Sequence, residues 1–319
     1  MELILFFVGF IFLLAGAHFL IEGGQSIGKR LKIPGIVIGL TIVSLGTSLP
    51  ELSVSVLASI KGQSELAMSN ILGSNTANIL LVLGIGAIIS PLTFRKATIN
   101  REIPFSLLAV IVLGFMTVLT FNRHGNSEIN RVEGTILLLF FIAFLIYSFV
   151  LSKKQPEGSD NQESVRKVSI SIVFIILGIG GLYIGGKWIV KGADLLAVMF
   201  GLSKSTVGIK IVAVATSLPE IVASSYAAFK KHSDIAIGNV IGSNIFNIFL
   251  VLGLSATIHP IPGYEGMSVD VGMVIFATLL LFFFIFKGKG REVTRYEGLS
   301  LLVIYMFFIV FREKILLWL

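Results

Sequence analysis

No cysteine occurs in the 319 residues, which excludes disulfides, thiolate metal sites and cysteine nucleophiles. Charge is scarce too: 13% of residues are Asp, Glu, Lys or Arg, well below the ~25% usual for a soluble domain. The four histidines, His18, His124, His232 and His259, are scattered without ligand spacing, so the familiar zinc patterns are absent. What fills the chain is apolar, with 55% hydrophobic residues and a mean hydropathy of +0.94. Such a composition belongs in a bilayer. The net charge of +7 would suggest nucleic acid in a soluble protein. Here Lys and Arg flank apolar runs, as topology determinants do, so no nucleic-acid partner is expected. Met1-Glu2 opens directly on the first run without a basic leader, so no cleavable signal peptide is expected.

A membrane span needs about 20 apolar residues. That criterion predicts an all-α membrane protein of ten helices, near 3–28, 34–61, 65–89, 101–121, 131–151, 168–191, 203–230, 234–257, 268–287 and 296–316. A polar connection at 152–167 separates residues 1–151 from 168–319, five spans each. The halves are repeats: at a constant offset of 169, residues 46–84 match residues 215–253 at 20 of 39 positions. The same offset pairs Gly16 with Gly185, Gly23 with Gly192 and Gly39 with Gly208. An odd number of spans per half inverts the second copy. Inverted five-helix repeats typify secondary transporters, whose substrate site lies near the midplane between the copies. With the amino terminus outside, 16 of the 25 Lys and Arg fall on the inner side and 8 on the outer. The excess of basic residues inside predicts that both termini lie outside.

Gly46-Thr-Ser-Leu-Pro-Glu51 returns as Ala215-Thr-Ser-Leu-Pro-Glu220, each inside an apolar run. A carboxylate at mid-bilayer costs roughly 2.5–3.5 kcal/mol on insertion scales, and buried membrane acids are functional by default. Pro50 and Pro219 lack the N–H that would bond the carbonyls of Gly46 and Ala215, so backbone oxygen near Ser44–Gly46 and Ala213–Ala215 is expected to be free. Thr47 and Ser48 stand four and three residues before Glu51, on its helical face. In the next helix Ser74 and Asn78 are four apart. The second half repeats the set as Thr216, Ser217, Glu220, Ser243 and Asn247. The inventory is all oxygen, with two carboxylates, which suits hard cations such as Ca²⁺ or Na⁺.

At these residues the sequence resembles the sodium/calcium exchanger family of the cation/Ca²⁺ antiporter superfamily, and within it the compact prokaryotic calcium/sodium antiporters. The resemblance spans nearly the whole chain and both signature repeats. It implies exchange of Na⁺ for Ca²⁺ across a prokaryotic plasma membrane by alternating access. It also implies ion ligands at Thr47, Ser48, Glu51, Ser74 and Asn78, and at Thr216, Ser217, Glu220, Ser243 and Asn247. The backbone carbonyls of Ser44 and Ala213 are implied as further Na⁺ ligands, and the first and sixth helices as a pair sliding against the other eight. No cofactor beyond the transported ions and no obligatory protein partner is expected. Some archaeal relatives and the potassium-dependent branch have an aspartate where this chain has Asn247, which argues against K⁺ dependence. Ala215, where the motif has Gly, is a mild departure.

Ca²⁺/H⁺ exchange, with the glutamates carrying protons, is the alternative transport mode, and a cation channel is another class. No catalytic base pairs with a nucleophile in the spans, which disfavours an enzyme. Asn75, Asn244, Asn70 and Asn239 read as packing or supporting groups. Lys210 reads as a side chain reaching the outer interface; it replaces Thr41 of the first half, so gating is its alternative role. Gly181-Leu-Tyr-Ile-Gly-Gly-Lys187 nearly spells a phosphate loop, but no strand precedes it, and its glycines read as a packing surface. Glu102, Glu128, Glu133, Glu265, Asp270 and Glu297 stand near span ends and are expected to be solvated.

Overall fold

The computed structural model describes residues 2–94, 96–122, 128–154, 166–199, 216–264, 266–287 and 291–316. Its helices are α1 (Glu2–Leu31), α2 (Gly35–Thr47), α3 (Leu49–Ile60), α4 (Glu65–Ile89), α5 (Lys96–Asn122), α6 (Arg131–Lys154), α7 (Val168–Met199), α8 (Leu218–Phe229), α9 (Ser233–Ile258), α10 (Met267–Lys287) and α11 (Arg295–Leu316). Helix occupies part or all of each of the ten expected segments. Among the described residues six helices are long and apolar enough to cross a membrane, or seven if α2 and α3, which meet at 49°, form one broken span. Helix α6 runs through Lys154, into the start of the polar stretch at 152–167.

Turn chemistry sets several of the helix ends. Helix α1 closes with Ile33 N–H on the Gly28 carbonyl (2.8 Å), and Lys32 takes a left-handed φ of 55°. Helix α3 closes with Gln63 on Ala58 and Gly62 at φ 70°; α8 closes with His232 on Ala227 and Lys231 at φ 61°. These are Schellman ends, in which one left-handed residue turns the chain and satisfies the last carbonyls.

The layering separates centre from rim. Apolar windows are 94% buried in α9 and 78% in α4, but only 33% in α1 and 22% in α7. Outward side chains such as Phe7, Ile11, Leu139 and Phe283 are exposed, as a lipid-facing surface requires. At the rim α1 and α7 cross antiparallel along a glycine seam: Gly9 meets Gly185, Gly16 meets Gly181, and Gly23 meets Ile175. A Cβ on Gly178 would lie 2.5 Å from the Leu20 nitrogen, so the backbones touch. Without a hydrophobic driving force in lipid, such close approach is what holds helices together. Gly181 and Gly185 therefore serve packing, as read from the sequence. Arg166 fastens one end of the pair, its guanidinium on Glu22 (2.9 Å) and its N–H on Ser26 (3.0 Å).

Two short antiparallel ribbons tie the halves together. Strand β1 (Leu92–Thr93) pairs with β4 (Glu292–Val293), and β2 (Glu128–Ile129) pairs with β3 (Ile261–Pro262). The acids near the span ends are not simply solvated. Asp270, Glu102 and Glu133 are buried. Asp270 takes both prongs of Arg312 at 2.7 and 2.6 Å, while Glu133 and Glu297 accept N–H groups at their own helix starts. Capping explains the burial of Glu133 and pairing that of Asp270. Glu265 lies outside the described residues.

Candidate ion-binding site

Glu51 and Glu220 occupy the first turns of α3 and α8, each just after the proline at the start of its helix. The first half breaks at Ser48, before Pro50 rather than at it, because proline is well tolerated in a first turn. This places each carboxylate beside a helix N-terminus, whose dipole favours it by up to about 2 kcal/mol in partly buried settings. Both acids are 0% exposed. The expected free carbonyl at Ser44 is engaged: it accepts the Ser48 N–H at 2.9 Å and the Thr47 hydroxyl at 3.3 Å.

Hydroxyls from both halves converge on the acids. Ser74 donates to Glu51 Oε1 (3.4 Å), and Ser243, its counterpart, donates to Glu220 Oε1 (3.4 Å). Ser48 crosses from the first half to Glu220 Oε1 (3.1 Å). Thr47 bonds Asn239 Oδ1 (3.1 Å) and meets Ser243 (3.5 Å); Thr216 bonds Asn70 Oδ1 (3.3 Å) and meets Ser74 (3.4 Å). The amides of Asn70 and Asn239 are seated in turn on Ser55 (3.1 Å) and Ser224 (2.9 Å). Ser55 and Ser224 were not singled out in the sequence, although they are one of the matched pairs at offset 169.

Asn78 begins a π-helical turn, Asn78–Val82, and Asn247 lies in another, Phe246–Leu252. Such turns re-aim side chains and recur at functional sites. Each turn packs against the opposite half: Asn247's against α3, which carries Glu51, and Asn78's against α8, which carries Glu220. Apolar periodicity alone did not indicate these turns.

Oxygen is left over after every bond is made. Oε2 of Glu51, Oε2 of Glu220, Oδ1 of Asn78, Oδ1 of Asn247 and the Ser217 hydroxyl are buried without a partner. Leaving a buried acceptor unpaired costs about 1–3 kcal/mol, more when it is charged. The helix dipoles and three serine bonds offset part of the cost of two buried carboxylates, and the unpaired set remains. Oxygen acceptors in that number and charge suit a hard cation, since Ca²⁺ takes 6–8 oxygen ligands. Of the residues expected at the site, Ser44, Thr47, Ser48, Glu51, Ser74, Asn78, Thr216, Ser217, Glu220, Ser243 and Asn247 are buried. Ala213 and Lys210 lie outside the described residues.

Known proteins are similar to this chain in sequence and in fold. Residues 1–150 and 170–313 match the family model described as sodium/calcium exchanger protein. The chain is 31% identical to the sodium/calcium exchanger MaX1 of Methanosarcina acetivorans, over 95% of this chain and 96% of that one. It is 35% identical to the inner membrane protein YrbG of Escherichia coli, over 80% of this chain and 79% of that one. Among solved structures it is similar to the sodium-calcium exchanger NCX_Mj soaked with Na⁺ and Ca²⁺, with a TM-score of 0.83, 31% identity and 97% of both chains covered.

Proposed function

Because the chain belongs to the sodium/calcium exchanger family, we propose that it carries Na⁺ and Ca²⁺ in opposite directions by alternating access at the site between Glu51 and Glu220. It is a multi-pass membrane transporter and not an enzyme. The observation that carries the finer reading is the set of unpaired buried oxygens, in which the glutamates and the asparagines of the two halves contribute matching pairs. Glu51 and Glu220 serve both ions. Thr47, Ser48, Ser74, Thr216, Ser217 and Ser243, with the carbonyl of Ala213, complete smaller Na⁺ cages, and Asn78 and Asn247 complete the centre.

The architecture proposed is ten spans in two inverted repeats, residues 1–151 and 168–319 joined by 152–167. The antiparallel crossing of α1 and α7, first helices of their halves, supports inversion. With both termini outside, β1 and β4 meet on the inner face and β2 and β3 on the outer. Left-handed residues support that orientation. Lys32, Lys231 and Arg291 fall on the inner face, and Gly62 and Gly266 on the outer. Lys231 stands where the first half has Gly62, and Lys32 where the second has Gly201. A non-glycine there costs about 1–3 kcal/mol, so positive charge at the inner face outweighs backbone ease. A plasma membrane of a prokaryote is the proposed location, in line with the inner membrane relative.

The test is Ca²⁺ uptake into proteoliposomes under an imposed Na⁺ gradient at clamped pH. Uptake is expected in the wild type and absent in Glu51→Gln and Glu220→Gln. Uptake driven by a pH gradient and indifferent to Na⁺ would make the protein a proton antiporter instead.

A further inference from the structure

The two site amides are held across the boundary between the halves by a second pair of asparagines. Asn78 donates Nδ2 to Asn244 Oδ1 at 3.0 Å, and Asn247 donates Nδ2 to Asn75 Oδ1 at 3.2 Å. Asn244 then donates its own Nδ2 to the main-chain carbonyl of Asn75 at 3.5 Å. All four side chains are buried, none more than 2% exposed. Each bond joins one half to the other.

A carboxamide has an oxygen edge and an NH₂ edge, and rotation exchanges them. An ion needs the oxygen; a turned amide would aim its positive N–H at the cation and remove a ligand. In both Asn78 and Asn247 the NH₂ edge is occupied and Oδ1 is the atom left unpaired. Asn75 itself leaves a buried Nδ2 without a partner. That unsatisfied donor accompanies an Oδ1 turned toward Asn247.

We propose that Asn75 and Asn244 are positioning residues that lock the carboxamides of Asn247 and Asn78 with their oxygens toward the ion, Asn75 being the common anchor. The proposal rests on reading Asn78 and Asn247 as ion ligands. Its asymmetry is specific. Both lines of bonds end on Asn75, one on its side chain and one on its carbonyl, whereas Asn244 holds Asn78 alone. Outer partners that orient metal ligands commonly govern affinity by about 10–100-fold.

Ca²⁺ affinity of the purified protein, by calorimetry in detergent, tests this. Asn75→Leu removes the acceptor and is expected to weaken Ca²⁺ binding about 10–100-fold. Asn75→Asp keeps an acceptor for Asn247 and is expected to retain most of the affinity. A carboxylate offers oxygen whichever way it turns, so in an Asn247→Asp background Asn75→Leu is expected to cost little further. A merely structural role would not be erased by that change. If Asn75→Leu does not fold, judged by its thermal unfolding, Asn244→Leu carries the same test, with Asn78→Asp as the rescuing background. Wild-type affinity in the leucine variant, or an equal loss in both backgrounds, overturns the proposal. Unaltered Ca²⁺ binding in Glu51→Gln would instead sink the assignment of the site itself.

Discussion

Ser48 gives its hydroxyl to Glu220 at 3.1 Å, so the residue at the helix break of one half serves the acid of the other. Ser48-Leu-Pro-Glu51 spells a capping box, in which serine and glutamate would satisfy the backbone of their own helix. Neither α3 nor α8 makes a side-chain cap bond. The local rule is broken in both copies, and the withheld groups are those turned to the site. Ser217, the counterpart of Ser48, is buried with its hydroxyl unpaired. The two halves match in sequence here but not in bonding.

That asymmetry separates two serines of identical motif. Ser48→Ala removes a bond to a buried carboxylate and is expected to lower ion-free stability by about 1.5–3 kcal/mol. Ser217→Ala removes a hydroxyl that has no partner and should leave ion-free stability unchanged. Added Ca²⁺ at about 100 times its Kd should stabilise the wild type by about 2.7 kcal/mol, and Ser217→Ala should diminish this gain if its oxygen is a ligand. Thermal unfolding in detergent with and without Ca²⁺ reads both effects. Equal behaviour of the two variants without ions would contradict the bonding described.

Much of this was legible in the chain because duplication marks what composition cannot. Glu51 and Glu220 stood out as acids in apolar runs, and the offset of 169 carried the hydroxyls and amides with them. The π turns at Asn78–Val82 and Phe246–Leu252 were not legible, since an added residue per turn leaves an all-apolar surround unchanged in pattern. Nor were the crossed bonds of Asn75 and Asn244, which depend on how inverted halves meet. Asp270 read as solvated because its partner, Arg312, is remote in sequence and only tertiary packing brings them together.

The seam between α1 and α7 rests on glycines spaced by seven, Gly9, Gly16 and Gly23 on one side and Gly178, Gly185 and Gly192 on the other. Gly178→Ala would push a methyl to 2.5 Å from the Leu20 nitrogen and 2.7 Å from its Cα, where backbone cannot yield cheaply. A loss of about 1–3 kcal/mol is expected, as for overpacking generally. Gly180→Ala in the same helix meets nothing within 4 Å, and should gain up to about 1 kcal/mol of helix propensity. Thermal unfolding of the two variants should move in opposite directions. A shared direction would mean that the seam is looser than the contacts show.

Tyr264, outside the spans, donates its hydroxyl to Asp270 Oδ2 at 2.7 Å, beside the Arg312 pair. Burial, and then the adjoining carboxylate, push the phenol above its ordinary value. A group whose folded value is raised contributes stability that is complete below its unfolded value and is lost as pH climbs toward the folded one. The contribution is therefore full at neutral pH and begins to fail above about pH 10, where an unfolded tyrosine ionises. Tyr264→Phe should cost about 1.5–3 kcal/mol at neutral pH, the worth of a hydrogen bond to a charged group. The difference between wild type and variant should narrow steadily in alkali, because only the wild type has this proton to lose on unfolding. Unfolding midpoints measured from pH 7 to 11 check the sign: a gap that widens with pH would mean the hydroxyl is not held as a donor to Asp270.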